Sequence, residues 1–567
     1  MLSVVAAKRA GGHATTIDNG TVEPPVTPPS NPAFDGYAEL PRSTPSYTFS
    51  LPIGGVTHAP ANAAELQTLL SGGTLNGQTL QRGDVIQLTA GQQYTSAGVS
   101  QQVFPRTDTM TTRAGASSNW IYVVTSALGS LPQPGFRVND SHKASMPVFR
   151  QMSNGGNPAI RFANNADRYA LVGIAADGGS VTATTRIVEF GALGASTIAD
   201  LPEELVMDRC HVSATRANNC SRTVALACGP NWVVRDSNLY CTGASGIENQ
   251  AIGGWQFTGP GLIENNYLVA GGENVLFGGS DPAINGILPV DITIRRNYMY
   301  KPLTWNEHHA SWDGVNIVCK NLFELKNGVR ILVEDNVLEN FWGPDQNFAL
   351  NLKTVNQSGG QTWSETSNVT VRYNRWIRVS SWATVTPQGA TSVPAYNITL
   401  RHNYVQYMGL PGWAGTYATQ LGGSDGTIVD RNTIMADPTG GTNGMCTPNA
   451  DGAPDPTGGF TNNIIQRGGF GWKAAGTAEG NNSITYLYGD TTRFGGNVLI
   501  GASSGIYPTG NSFPATIAAV GFTDAANSDF SLTPSSPYIG AASDGGVPGA
   551  DIAAVLTRTA GCVTGSW

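Results

Sequence analysis

Four side chains in the middle of the chain, Glu273, Glu324, Lys326 and Lys353, are of the types that move protons. The phrases around them align by the apolar residues Ile252, Phe277, Leu325, Leu352 and Leu421, which face one way on a period-two strand. The residues just before these (Ala251, Leu276, Glu324, Asn351, Gln420) and just after (Gly253, Gly278, Lys326, Lys353, Gly422) then face the other way. Stacking predicts a cluster of Glu324 and Asn351 on adjacent strands, with Lys326 and Lys353 beside them and glycines leaving space. A lysine made less basic by a like-charged neighbour can take the proton alpha to a uronate carboxylate while a second cation stabilises the enolate, as in a polysaccharide lyase. The plain alternative is a solvated face where Lys326 pairs with Glu324 or Glu273 for little gain.

A glycoside hydrolase instead needs two carboxylates, one protonated and one ionised. Glu248, Glu273, Asp281, Glu307, Asp313, Glu324, Glu339 and Asp345 are available. Glu273 stands out because GGENVLFGG brackets it with glycines that would admit a ligand, although a carboxylate bonding the backbone of a tight turn is the simpler reading. The sequence does not choose the pair. Trp305, Trp312, Trp342, Trp363, Trp376 and Trp382 are half of the chain's 12 tryptophans, and indoles offer flat apolar platforms to sugar rings. Trp376 falls in a core column. Trp305, Trp312, Trp342 and Trp363 are therefore the expected substrate contacts, with Asn351 and Gln420, and side packing is their alternative role. His308, His309 and Asp313 lack a third spaced ligand, so no metal residue is expected, and Ca2+ is the one cofactor left open.

These residues sit on a repeat. LIENNYL (262 to 268), TIRRNYM (293 to 299), LVEDNVL (332 to 338), TVRYNRW (370 to 376), TLRHNYV (399 to 405) and IVDRNTI (428 to 434) share one pattern. Extending it gives a column of Cys210, Asn238, Asn266, Asn297, Asn336, Asn374, Asn403, Asn432, Asn463 and Asn497. A period of this length means a solenoid, each coil covering the apolar face of the next. Inward residues three before and two after the asparagine require a bend near it, which asparagine suits because it tolerates the left-handed region. Identical amides stacked once per coil can also bond along the axis. The fold class is all-β, a single-stranded right-handed parallel β-helix with an internal asparagine ladder. The ladder spacings of 39 and 38 residues from Asn297 to Asn374 mark two coils with inserted loops, where binding residues concentrate. The column two before each asparagine (Asp208, Asp236, Glu264, Arg295, Glu334, Arg372, Arg401, Asp430) reads as a structural ladder of charges on an outer face.

Residues 1 to 33 read as a flexible Pro/Gly/Thr-rich segment. Residues 34 to 82 hold a strand and an N-terminal capping helix (61 to 70), 83 to 500 form the β-helix, and 501 to 567 a C-terminal capping region. With 70 glycines and 13% charged residues among 567, the composition fits many turns and few exposed helices. The net charge of -8 argues against a nucleic-acid partner, and no stretch is long and apolar enough for a transmembrane segment. No secretory signal precedes Lys8 and Arg9. Of seven cysteines, Cys210, Cys220, Cys228 and Cys241 lie so close together that one or two disulfides and an oxidising compartment are expected.

FDGYAELPR (34 to 42), GDVIQLTAG (83 to 91), GGENVLFGGSDP, ITIRRNYMYKPLTW (292 to 305), KNLFELKN (320 to 327) and DFSLTPSSPY with the later GAD resemble a bacterial family of right-handed β-helix repeat proteins. That family is similar in fold to the pectate-lyase-like superfamily. The resemblance implies the fold and a leaning toward carbohydrate, and supplies no catalytic residues. The aspartate and arginine pattern of a calcium-dependent pectate lyase is missing. Three functions follow as expectations. The first is an extracellular or cell-surface enzyme that binds and cleaves a polysaccharide on its central coils. The second is a virion tailspike or receptor-binding protein recognising a surface glycan, and the third a non-catalytic adhesin or structural solenoid. The assembly is expected to be a monomer or a homotrimer.

Overall fold

The computed structural model describes residues 37–386, 394–413, 417–448 and 454–566. The expected flexible segment 1 to 33 lies outside them. The described strands stack as a parallel β-helix with sheets of 14, 12 and 11 strands. Each coil contributes one short strand to each sheet in turn, so each pairs with its counterparts about one coil away. Apolar residues of all three sheets fill one continuous interior. No helix among the described residues is long and apolar enough to cross a membrane.

The corner between the first and second sheets is built from the repeat. Asn266, Asn297, Asn336, Asn374, Asn403, Asn432, Asn463, Asn497 and Asn511 each pass a side-chain hydrogen bond to the next, Nδ2 to Oδ1, at 2.9–3.1 Å. The residue before the asparagine takes the bend. Arg209, Asp236, Asn265, Arg296, Asp335, Tyr373, His402, Arg431 and Asn462 all have φ between 51° and 60°. The asparagine instead bonds the carbonyls that the bend frees. Asn238 is not in this column. It pairs with His211 and Tyr267, and Ser237 holds the place, receiving Cys210 N–H on Oγ at 2.9 Å and giving its own N–H to Asn266 Oδ1 at 3.0 Å.

On the outer face of the first sheet the charged column pairs between coils: Arg295 with Glu264 at 2.7 Å, Arg372 with Glu334 at 2.9 Å and Arg401 with Asp430 at 3.2 Å. An extended N-terminal strap lies over it. Tyr37 bonds Asp430 under the Arg401 guanidinium, Ala38 N–H reaches Thr399, Arg42 N–H reaches Asp291, and Phe49 packs on Tyr122. Twelve extended residues cover about 40 Å, as do the nine coil steps from Asp430 to Tyr122 at ~4.8 Å each. The C-terminal segment runs back beside the same corner. Gly549 N–H bonds Asn462, helix Ile552–Thr559 brings Arg558 to Asp335 at 2.6 Å, and Arg137 bonds the Cys562 and Val563 carbonyls. Both tails therefore occupy the first sheet and its corner with the second.

Helix Ala63–Leu70 is N-capped by Asn62, buries Leu66, Leu69 and Leu70, and packs on Gln102–Phe104, the first strand of the third sheet. The cysteines differ from expectation: all seven are free thiols, and all are buried. Cys210, Cys220 and Cys228 share one coil and Cys241 ends the second-sheet strand of the next, all four in the core, while Cys562 packs on Val337 and Ile377 from the C-terminal segment.

Candidate functional site

The residues expected to act lie on the third sheet. Its central strands, Arg222–Ala227, Gln250–Gly254, Glu273–Phe277, Phe323–Leu325, Leu350–Leu352, Ala383–Val385 and Tyr417–Leu421, pair in that order. One outward row runs Gly253, Leu276, Glu324, Asn351, Thr384 and Gln420. Two details of the sequence alignment are corrected. Phe277 pairs with Gly254 and not with Ile252, and the strand Ala383–Val385 stands between Leu352 and Leu421. That strand is only three residues long and has no charged member to mark it.

Glu324 and Asn351 sit on adjacent strands, with Asn351 Nδ2 donating to Glu324 Oε1 at 3.0 Å. Lys353 reaches the same oxygen at 2.9 Å. Lys326 forms no ion pair among the described residues. Its neighbours Gly278 and Gly279 have φ of 94° and 82°, and a Cβ on Gly279 would lie 3.7 Å from Lys326 Nζ. The glycine conformation there keeps the approach to the ammonium open.

Glu273 stands one coil from Gln250, which gives it an Nε2 hydrogen bond at 2.8 Å. The glycines before it serve packing. A Cβ on Gly272 would sit 2.5 Å from the Asn249 carbonyl, and one on Gly271 would sit 2.9 Å from Gly243 Cα. Asn249 Oδ1 accepts both glycine N–H groups, and the buried Lys301 ammonium caps the carbonyls of Ala270, Gly271 and Gly272. Burial pushes Lys301 down to about 8. A rigid turn thus fixes Glu273 at the start of its strand.

Glu273 is fully enclosed, and its carboxyl is pushed up to about 8, first by burial and then by the charges of Glu324 and Glu248. It is therefore a neutral acid at pH 7. Its Oε1, Glu324 Oε2 and Gln250 Oε1 are buried without hydrogen-bond partners among the described residues. Three such oxygens fall short of the roughly six to eight that Ca2+ takes, and Lys353 already neutralises Glu324. No cluster of three or more His, Cys, Asp or Glu that could hold a metal occurs among the described residues. The set does not fit a calcium cage.

The inserted coil at 301 to 322 adds a lid to this cluster. It brings Lys320 into an ion pair with Glu248, at the edge of the Gln250 side chain that serves Glu273. Burial raises Glu248, but the Lys320 ammonium outweighs it and holds the carboxyl below its usual range. Arg222 completes the row beside Gln250 and stacks on Trp255 at 4.8 Å. Lys320 and Arg222 were not found in the sequence reading. Lys320 was legible only as six residues before Lys326 in KNLFELKN, and Arg222 belongs to a strand that lacks the asparagine phrase.

The other carboxylates are committed elsewhere. Glu339 pairs with Arg378, and Asp313 with Arg216 at 2.9 Å. Glu307 accepts from Trp342 Nε1 at 3.0 Å, Asp345 from Cys319 N–H at 2.7 Å, and Asp281 from the N–H groups of Ser358 and Gly360. His309 bonds Ser311, away from any metal set. Among the expected sugar platforms, Trp305 and Trp342 are enclosed, at 3% and 1% exposure. Trp305 packs edge-on against Tyr240 and Trp342 against Trp413. Trp312 is 38% exposed and Trp363 half-buried, with its N–H on the Ile287 carbonyl. Gln420 meets Thr384 Oγ1 at 3.4 Å.

No protein-family model and no curated protein matches the chain. Among solved structures it is similar to a mannuronic-acid-specific polysaccharide family 6 lyase from human gut microbiota, with 12% identity, 81% of this chain and 90% of that one covered, and a TM-score of 0.48. It is also similar to an alginate lyase from Paenibacillus, with 13% identity, 70% and 96% covered, and a TM-score of 0.35. A third likeness is to the Dettilon tailspike protein, with 11% identity, 81% and 65% covered, and a TM-score of 0.33. At these levels the likeness transfers no chemistry to this chain.

Proposed function

We propose that the protein binds and cleaves an acidic polysaccharide on the outer face of its third sheet, with Glu273 as general acid and Glu324 as its carboxylate partner. The observation that carries this reading is a pair of buried glutamates one coil apart in opposite environments. Glu273 is held neutral by burial and by two negative neighbours, and Glu324 is bound by Lys353 and Asn351. A carboxyl pushed up by burial beside a second one that is ion-paired is the kind of arrangement glycoside hydrolysis asks for. Glu273 delivers its proton to the glycosidic oxygen as the bond to the anomeric carbon breaks, and a water attacks that carbon and passes its proton to Glu324.

The pair lies beneath the Lys320–Glu248 bridge, and this bridge gives the preference for acidic sugars. A substrate carboxylate competes with Glu248 for Lys320, and that exchange opens the way to Glu273. A second reading, β-elimination with Lys326 as base, is supported by the absence of an ion pair at Lys326 among the described residues and by the glycines beside it. Elimination leaves a carbon–carbon double bond in the product, whereas hydrolysis leaves none.

The test is incubation with uronate-containing and neutral polysaccharides, following new reducing ends and the ultraviolet absorbance of unsaturated uronates. Reducing ends without absorbance, lost in Glu273→Gln, support hydrolysis. Absorbance lost in Lys326→Ala moves the chemistry to elimination. No product from any polysaccharide sinks the catalytic reading.

A further inference from the structure

A second cleft lies on earlier coils, outside the glutamate cluster. It has a volume of about 420 Å³ and is lined by Lys143, Arg150, Gln151, Met152 and Asp177 together with the turns at Gly178 to Ser180 and Thr215 to Asn218, within the ~300–1,000 Å³ range of small-ligand sites. We propose that this cleft is a separate, non-catalytic binding site for an acidic sugar unit of a polysaccharide.

Its walls are rigid. Asn218 Nδ2 donates to the carbonyls of Gly178 at 3.1 Å and Val181 at 2.8 Å, while its Oδ1 accepts from Thr215 N–H at 2.8 Å. A Cβ on Gly178 would fall 2.3 Å from the Asn218 amide carbon, so the turn closes tightly on that side chain. Gly179 N–H holds Asp177 Oδ1 at 3.1 Å. The floor therefore keeps its shape when empty, and a ligand need not order it.

The charge is unbalanced toward cations. Lys143 at 3.2 Å and Arg150 at 3.3 Å share the single carboxylate of Asp177, and their side chains remain 34% and 49% exposed. On a chain of net charge -8 this is a local excess of one positive charge. A ligand carboxylate meets two donors there, one of them a planar fork.

Gln151 is an independent pointer. Its side chain is 1% exposed, its Nε2 is committed to the Asn157 carbonyl, and its Oε1 has no hydrogen-bond partner among the described residues. A buried acceptor left open costs free energy that a ligand donor removes, and a sugar hydroxyl is such a donor. Met152, 37% exposed, adds apolar surface beside it. Carboxylate, hydroxyl and apolar ring face occur together in a uronate.

The cleft is about three coil steps from Glu273, or ~14 Å along the axis, and its turns lead into the third sheet. A polymer laid along the axis therefore reaches both places. Remote contacts of this kind position a substrate without touching the reacting bond.

The test uses the full chain carrying Glu273→Gln, which suppresses turnover. Oligogalacturonate, oligomannuronate and oligoglucuronate are titrated calorimetrically, alongside the same oligosaccharides with carboxylates reduced to alcohols. The expected result is binding that Lys143→Ala/Arg150→Ala weakens by about tenfold or more and that carboxyl reduction weakens similarly, with Tm unchanged because both side chains are half in solvent. Equal affinity in the double variant, equal affinity for the reduced sugars, or no binding of any oligouronate overturns the proposal. Binding in a protein whose Glu273 form cleaves no polysaccharide would sink the catalytic reading and leave the cleft standing. In an active protein, Lys143→Ala/Arg150→Ala should raise KM for polymer and leave kcat unchanged.

Discussion

At the scale of residues, the central feature is that one turn makes Glu273 a different chemical group from Glu324. Lys301 and Asn249 saturate the backbone of Gly271 and Gly272, and among the described residues Glu273 has Gln250 as its one hydrogen-bonding side-chain partner. Its proton is retained up to about pH 8, whereas an unfolded glutamate loses it near ~4.3. Between those values the folded chain binds one more proton than the unfolded chain. The contribution of Glu273 to stability should therefore fall as pH rises through that window, by up to ~1.4 kcal/mol per unit, and level off above about 8. Glu273→Gln, which stays neutral, should flatten this slope. Tm measured from pH 5 to pH 9 on both proteins checks it, and parallel slopes would remove the neutral-acid assignment. Activity that depends on the Glu273 proton should likewise decline above about pH 8.

At the scale of elements, the asparagine ladder fixes the coil corner and the strap fixes the outer sheet. Asn374 gives hydrogen bonds to Asn403, Val333 and Arg372 and receives two from Asn336, all within the buried corner. Asn374→Ala should cost ~3 kcal/mol or more, because it strands several buried backbone groups at once, as urea unfolding would show. Removing residues 1 to 49 should lower Tm by several degrees and make it more salt-sensitive, since the ion pairs under Tyr37 and Phe49 then face water. An unchanged Tm would mean the strap contributes nothing to stability.

For the whole molecule, the two tails cover one side of the β-helix. Both run along the first sheet and its corner with the second, so the outward rows of the third sheet are left to the inserted coils. The cysteines belong to this scale too. Seven buried thiols predict that reductant leaves Tm unchanged and that a thiol reagent counts seven groups only after unfolding. Fewer than seven would reveal a disulfide.

The sequence specifies the solenoid, because a repeated asparagine between apolar residues permits one stacking and a slip in register would turn the core outward. It also placed Glu324, Asn351, Lys326 and Lys353 on neighbouring strands, because their strand phrases carry the same alternation. It misplaced Asn238 by one residue, since Ser237 fills the column without sharing the amide that marks it. It missed Lys320, because an inserted loop has no period from which to read where it lands. Coil stacking alone makes Trp305 and Trp342 packing residues, buries the cysteines as thiols and pushes the Glu273 carboxyl up. Each depends on what the adjacent coils bring within a few ångströms, and those neighbours are some 20 to 40 residues away in the chain, at spacings set by loops of variable length.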